Sequence, residues 1–138
     1  MKKFLALMLA VVMIAAMCTA CGSKGYTANN TEFVIGASGP LTGAAAVYGV
    51  AVQNSAQMAV DEINAAGGLN GIKFKLVVLD DKHDAANIST NYSSLLEGGM
   101  QLSLGTVTTK PCMEFKNLSV EDNVFFLTPS ASGDKIPE

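Results

Sequence analysis

The chain has 138 residues, 49% of them hydrophobic, and a formal net charge of −3, with no Arg among its nine basic residues. An acidic chain with so few cations has no basic surface with which to neutralise a phosphate backbone, so nucleic acid is excluded as a partner, and so is attraction to anionic lipid headgroups. Three cysteines, Cys18, Cys21 and Cys112, and one histidine, His83, leave little material for a disulfide framework or a metal cage.

In chain order, Lys2 and Lys3 precede an uncharged apolar run from Phe4 to Met17, then the small residues Thr19 and Ala20, then Cys21. This is the three-part pattern of a secretory signal peptide, here residues 1–20. The apolar run falls short of the roughly 20 residues of a spanning helix. Cys18-Thr19-Ala20-Cys21 resembles the lipobox of bacterial lipoproteins, with Cys18 where that pattern usually has Leu, and Gly22-Ser23 suits it. The resemblance implies that Cys21 becomes a lipid-modified N-terminus, located outside the cytoplasm and anchored to the cell membrane. Several acyl chains on it would hold stably where a single chain holds only marginally. Ordinary signal cleavage, leaving Cys21 a free thiol, is the alternative. Without residues 1–20 the chain has seven Lys against twelve acids, a charge of −5. With Cys18 removed and Cys21 capped, Cys112 has no intrachain partner and is expected to be a small buried hydrophobe. Residues 21–31 are small and polar and read as a flexible tether.

Residues 32–138 are expected to form one domain, and they alternate short apolar runs with longer amphipathic ones. Phe33–Ala37 reads as a buried strand, and the cluster Gly39-Pro40-Leu41-Thr42-Gly43 as a turn. A helical period follows, with Val52, Ala56, Ala59, Val60 and Ile63 on one face and Gln53, Asn54, Gln57, Asp61 and Asn64 elsewhere; Gly67-Gly68 stops it. Phe74–Leu79 is a second strand. Asp84 is placed to cap a helix with Ile88, Tyr92, Leu95 and Leu96 inward, ended by Gly98-Gly99. Met100–Leu104 is a third strand. Pro111 suits the first turn of a helix with Phe115 and Leu118 inward, and Val124–Leu127 is a fourth strand, ended by Thr128-Pro129. The chain stops at Lys135-Ile136-Pro137-Glu138, just after a strand and a turn, and reads as an N-terminal fragment.

Apolar strands separated by helices imply an α/β fold: a doubly wound parallel sheet covered on both faces, with right-handed crossovers and strand order 2-1-3-4. Its switch point lies between strands 1 and 3, and ligands bind at the carboxyl ends of strands near such a point. The loops there are Ser38–Gly43 leading to Tyr48, Thr106–Pro111, and Thr128–Ser132, all rich in hydroxyls, with Lys110 the one nearby cation. Helix capping and turn formation account for such residues one at a time. Three such loops converging on one edge, one of them starting a helix, suit a carboxylate. Phosphate fingerprints are absent, because Gly36-Ala37-Ser38-Gly39 fits neither the dinucleotide nor the P-loop pattern, so no cofactor is expected. Asp80, Asp81, His83 and Asp84 read as a solvated loop away from the switch point rather than a metal site. His83 has no nucleophile elbow to serve, so no enzymatic activity is expected.

Gly39-Pro40-Leu41-Thr42-Gly43 with Tyr48-Gly49, the run Asp61–Gly68, Gly71, Asp80-Asp81 with Asp84, and Thr128–Ser132 together resemble the Leu/Ile/Val-binding protein family. These are type I periplasmic-binding-protein-like receptors of branched-chain amino acid ABC importers, and the resemblance runs in order from Glu32 to about Ser132. It implies a binding protein for amino acids or related solutes, working with ABC permease subunits. Tyr48 would pack on the ligand, and Thr109 would donate to its α-carboxylate. Ser132 would bind through hydroxyl and N–H, Ser130 would offer a carbonyl to the ammonium, Ala131 would contribute backbone, and Val107 and Thr108 would form the adjoining wall. Some relatives join the loops after strands 2 and 3 by a disulfide; the matching residues here are His83 and Thr108. The family's second lobe is missing, which leaves half a cleft. A sensory module of the same fold, feeding a signalling protein instead of a permease, is the alternative reading.

Overall fold

A computed structural model describes residues 32–136; the signal segment, Cys21 and the tether lie outside the described residues. The elements are β1 (Glu32–Gly39), α1 (Ala46–Ala65), β2 (Lys73–Asp80), a 3-10 turn (Ala85–Asn87), α2 (Ile88–Glu97), β3 (Leu102–Thr106) and α3 (Thr109–Glu121). β1 sits between β2 and β3, parallel to both, with Phe33 opposite Phe74 and Ile35 opposite Leu102. The α/β class and the order 2-1-3 agree with the sequence pattern.

The fourth strand is reduced to a single rung. Phe126 bridges Ser103 in parallel, with Ser103 N–H donating to Phe125 O at 3.1 Å and Leu127 N–H donating to Ser103 O at 2.9 Å. The segment takes its expected place beyond β3 but cannot extend. The β1–β3 register shifts between Gly36 and Ser38, and Gly105 sits at φ 60, which turns its peptide out of the ladder. Ser103 stabilises this bulge, its hydroxyl donating to Gly36 O at 3.0 Å and accepting from Gly105 N–H at 2.8 Å.

The main core lies between the sheet and the α2–α3 pair. Ile88, Met100 and Phe115 are fully buried, Tyr92 and Leu95 nearly so, and Val77, Leu79, Leu118, Val124 and Phe126 pack around them. Tyr92 and Phe126 both meet the Phe115 ring edge-on, at centroid distances of 5.0 and 5.9 Å. Each large side chain buried in this way contributes about 1.5–3 kcal/mol. Asp84 caps as its spacing implies, its Oδ1 accepting from Ala86 N–H at 3.0 Å, and Cys112 is buried in α3.

α1 covers the other face and departs from its predicted stripe. Only Gly49 and Val60 are buried; Ala59 and Ile63 are exposed, while Gln53 and Asn64 turn partly inward. The reason is polar. Asn64 Nδ2 donates to Phe74 O at 2.7 Å and its Oδ1 accepts from Phe74 N–H at 2.8 Å, satisfying backbone groups at the outer edge of β2. Those two bonds fix the helix's rotation more firmly than two small apolar residues could. Gly49 makes the opposite end fit, since a Cβ there would run into the Pro40 carbonyl oxygen. Gly67 and Gly68, at φ 108 and 82, stop the helix as expected.

Candidate functional site

At the carboxyl ends of the strands an open cavity of about 530 Å³ is lined by Tyr48, Val107, Thr108, Thr109 and Ser130, together with His83 and Lys110. Five of the seven binding candidates thus share one space. Ala131 and Ser132 lie next in the same loop, outside the lining. A space between α1 and the sheet measures about 10 Å³, room for no more than a water.

Each wall has a local cause. Tyr48 stands in the first turn of α1 with 63% of its surface exposed, so nothing in the described residues covers it. The bulge of β3 brings Val107 and Thr108 to the cavity edge, and α3 starts at Thr109. Thr108 occupies the cap position in an extended conformation but makes no side-chain capping bond. The first-turn N–H groups of α3 are therefore left to other partners. Thr128 ties the last two loops together: its hydroxyl donates to Thr106 O at 2.9 Å and accepts from Ala131 N–H at 3.2 Å. That bond occupies the Ala131 N–H, one of the backbone groups offered to a ligand by the sequence reading. The loop packs so closely on α3 that a Cβ on Gly133 would strike the Thr109 methyl.

The cluster after β2 is solvated as expected at His83 and Asp84, but not at Asp80 and Asp81. Asp80 latches the loop that leads into α1. Its Oδ1 accepts from Leu41 N–H at 2.8 Å and Lys82 N–H at 2.9 Å, and its Oδ2 from the Thr42 hydroxyl at 2.6 Å. The Thr42 bond, with the two N–H donors, lowers the Asp80 pKa against a smaller opposing effect of burial. Asp81 is completely buried. It accepts from His83 N–H at 2.8 Å and from the Ser38 hydroxyl at 3.4 Å, and Ser38 in turn accepts from Asn91 Nδ2 at 3.0 Å. Burial raises the Asp81 pKa, assisted by the neighbouring Asp80 charge and opposed by its two donors and His83. The strand order was the expected one; what the sequence did not show is that Leu41 and Thr42 after β1 reach across to Asp80. β2 is hydrogen-bonded to β1, so its terminal loop lies beside the loop after β1 and not off the site's edge.

His83, which the sequence reading placed in a loop away from the switch point, lines the cavity. Its Nδ1 lies 3.1 Å from Thr108 Oγ1, joining the loops after β2 and β3 by a hydrogen bond at the two positions matched above to a disulfide. Among the described residues no group of His, Cys, Asp and Glu could hold a metal ion, and no helix is long and apolar enough to cross a membrane.

The family model for periplasmic binding proteins matches residues 32–138. The Leu/Ile/Val-binding protein BraC3 of Rhizobium johnstonii is 34% identical over 103 residues, covering 75% of this chain and 28% of the relative. The leucine-, isoleucine-, valine-, threonine- and alanine-binding protein of Pseudomonas aeruginosa is 30% identical over 124 residues, covering 90% of this chain and 33% of the relative. Among solved structures, the branched-chain amino acid transporter substrate-binding protein LivJ of Streptococcus pneumoniae, in complex with isoleucine, superposes with a TM-score of 0.73. It is 31% identical, with 77% of this chain and 31% of that one covered. The chain thus spans about a third of the length of these relatives.

Proposed function

We propose, because the chain belongs to the periplasmic binding protein family, that it forms the first wall of an amino-acid-binding cleft in the substrate-binding protein of an ABC importer. The carrying observation is the α3 N-terminus without a side-chain cap, facing the same cavity as Tyr48, Thr109 and Ser130. Uncapped N–H groups and the helix dipole favour an anion, and the neighbouring Thr109 hydroxyl adds a donor suited to an α-carboxylate. Tyr48 supplies an apolar surface for the ligand's body. Ser130 offers its carbonyl to the ammonium, Ser132 binds through its hydroxyl and N–H, Ala131 contributes backbone to the same rim, and Val107 and Thr108 form the adjoining wall. The ligand is a branched-chain or related amino acid, as the relatives' names support. The work is reversible binding, without catalysis. The opposite wall comes from a second lobe, and closure of the two lobes presents the loaded state to the permease.

One wall alone binds weakly. An isotope-labelled sample of the 138-residue chain, titrated with leucine, isoleucine and valine, is expected to shift the amides of Thr109 and Ser130 in fast exchange, with a Kd on the order of millimolar or weaker. Thr109→Ala is expected to weaken this by roughly tenfold, the loss of a hydrogen bond to a charged group. Still amides at saturating amino acid overturn the reading, and a tight calorimetric signal for leucine overturns the half-cleft. The anchor rests on residues 18–23 of the sequence. Mass spectrometry of membrane-extracted protein should find Cys21 acylated at the N-terminus, and Cys21→Ala should release the protein from the membrane.

A further inference from the structure

We infer that His83 is a specificity residue of this cleft, one that hydrogen-bonds an acceptor carried on the solute's side chain. The inference rests on the proposed cleft and its amino-acid ligand, and widens the side-chain class beyond the branched-chain one. His83 borders the cavity along with Thr108 and Lys110, while none of the carboxylates among the described residues does. The imidazole is held rather than loose. Lys82 and His83 both take left-handed backbone conformations, φ 56 and 62, and the His83 N–H is pinned to the buried Asp81 carboxylate at 2.8 Å. On the ring, Nδ1 is engaged with the Thr108 hydroxyl at 3.1 Å, and Nε2 has no hydrogen-bond partner among the described residues. A ring fixed through one nitrogen presents the other in a set direction, at little further entropic cost on binding.

Lys110 bears on the same chemistry. It stands in the first turn of α3, where the helix dipole disfavours a cation, so its position does nothing for the helix. The Thr108 hydroxyl has no other partner among the described residues, so it donates to Nδ1 and the ring proton sits on Nε2; with Lys110, the polar part of this wall is then a set of donors. A purely aliphatic side chain would leave those donors unpaired, whereas a side-chain amide or carboxylate would use them. The solute class is therefore an amino acid whose side chain ends in a hydrogen-bond acceptor, bound at least as well as an aliphatic one.

The test uses the fact that the chain has one histidine, so its imidazole nitrogens give an unambiguous NMR signal. The labelled 138-residue chain is titrated in parallel with leucine, glutamine and glutamate. Glutamine or glutamate is expected to move His83 Nε2 together with the Thr109 and Ser130 amides, and leucine to move the amides alone. In His83→Gly, which keeps the left-handed backbone free of strain, the acceptor-bearing ligand should bind roughly fivefold more weakly, the size of one net hydrogen bond, with leucine unchanged. If the amides respond to all three ligands while Nε2 stays still, the inference fails and the cleft wall stands. If neither amides nor Nε2 respond to any ligand, both fail. Equal weakening of leucine and glutamine in His83→Gly also overturns the inference, since it marks His83 as only a brace for Thr108.

Discussion

The two faces of the sheet are held by different forces. On the α2–α3 side an apolar cluster closes around Phe115, which has no exposed surface. On the α1 side the helix buries little beyond Gly49 and Val60 and is fastened at both ends by polar groups. Asp80 grips the loop before it, and Asn64 grips the backbone of β2 after it. Farther along that side Phe125 and Leu127 stand 68% and 60% exposed. The difference separates stability from site geometry. The apolar face supplies the free energy, and the polar fastenings set where Tyr48 stands relative to Thr109.

Mutations can break this contrast in order of size. Phe115→Ala empties the centre of the apolar cluster and should cost about 3–5 kcal/mol, read from the urea midpoint. For a domain whose whole stability is of order 5–15 kcal/mol, that is a large share of the total. Asp80→Asn removes a charged acceptor from three donors and should cost about 1–2 kcal/mol, while also loosening the Tyr48 loop, seen as faster amide exchange at Leu41. Asn64→Ala should fall in the same range and free the C-terminal end of α1 without touching the Phe115 cluster. Phe125→Ser should be smallest, within about 0.5 kcal/mol, because the ring is already in water. A cost as large as that of Phe115→Ala would mean the second face carries apolar stability after all.

Acid sharpens the comparison, because the two neighbouring aspartates respond with opposite sign. Asp80 has a lowered pKa in the folded state, so its contribution is complete above the ordinary aspartate range and is lost as pH falls through its folded value. Asp81 has a raised pKa, so the folded state holds its proton longer than the unfolded chain does. Its burial penalty therefore grows as pH rises through the window between the unfolded and folded values, and it is relieved on acidification. Urea midpoints measured across the acid range should lose less on acidification in Asp80→Asn than in the wild type. In Asp81→Asn they should lose more, since the relief is gone. Parallel curves for all three proteins would contradict the assignment of the latch to Asp80.

Much of the molecule was legible before the structure. The strand positions followed from apolar runs, the face of α2 from Ile88, Tyr92 and Leu95, and the buried state of Cys112 from its lack of partners; the Asp84 cap was expected on that helix but sits on the 3-10 turn that leads into it. These features depend on local periodicity and on side-chain chemistry within a few residues. What misled the sequence reading was contact across strands. Asp80 and Asp81 read as solvated because nothing local says that β1 and the loop after it supply Asp80 with Leu41 and Thr42 and Asp81 with Ser38 as donors. Asn64 read as lying off the inward stripe of α1 because its partner is the backbone at Phe74. Val124–Leu127 read as a full strand because an apolar run carries no information about whether its neighbour is bulged.

The sequence by itself determined the α/β order, the apolar face that α2 and α3 cover, and the clustering of hydroxyl residues in the loops that end the strands. Tertiary structure alone decided that the loop after β2 joins the three expected loops at the cavity, that His83 reaches Thr108 across it, and that α1 is held by hydrogen bonds instead of packing. The reason is range. Periodicity and capping act within a turn or a strand and can be read along the chain. A hydrogen bond between residues 25 positions apart, as from His83 to Thr108, exists only once the sheet has set its neighbours.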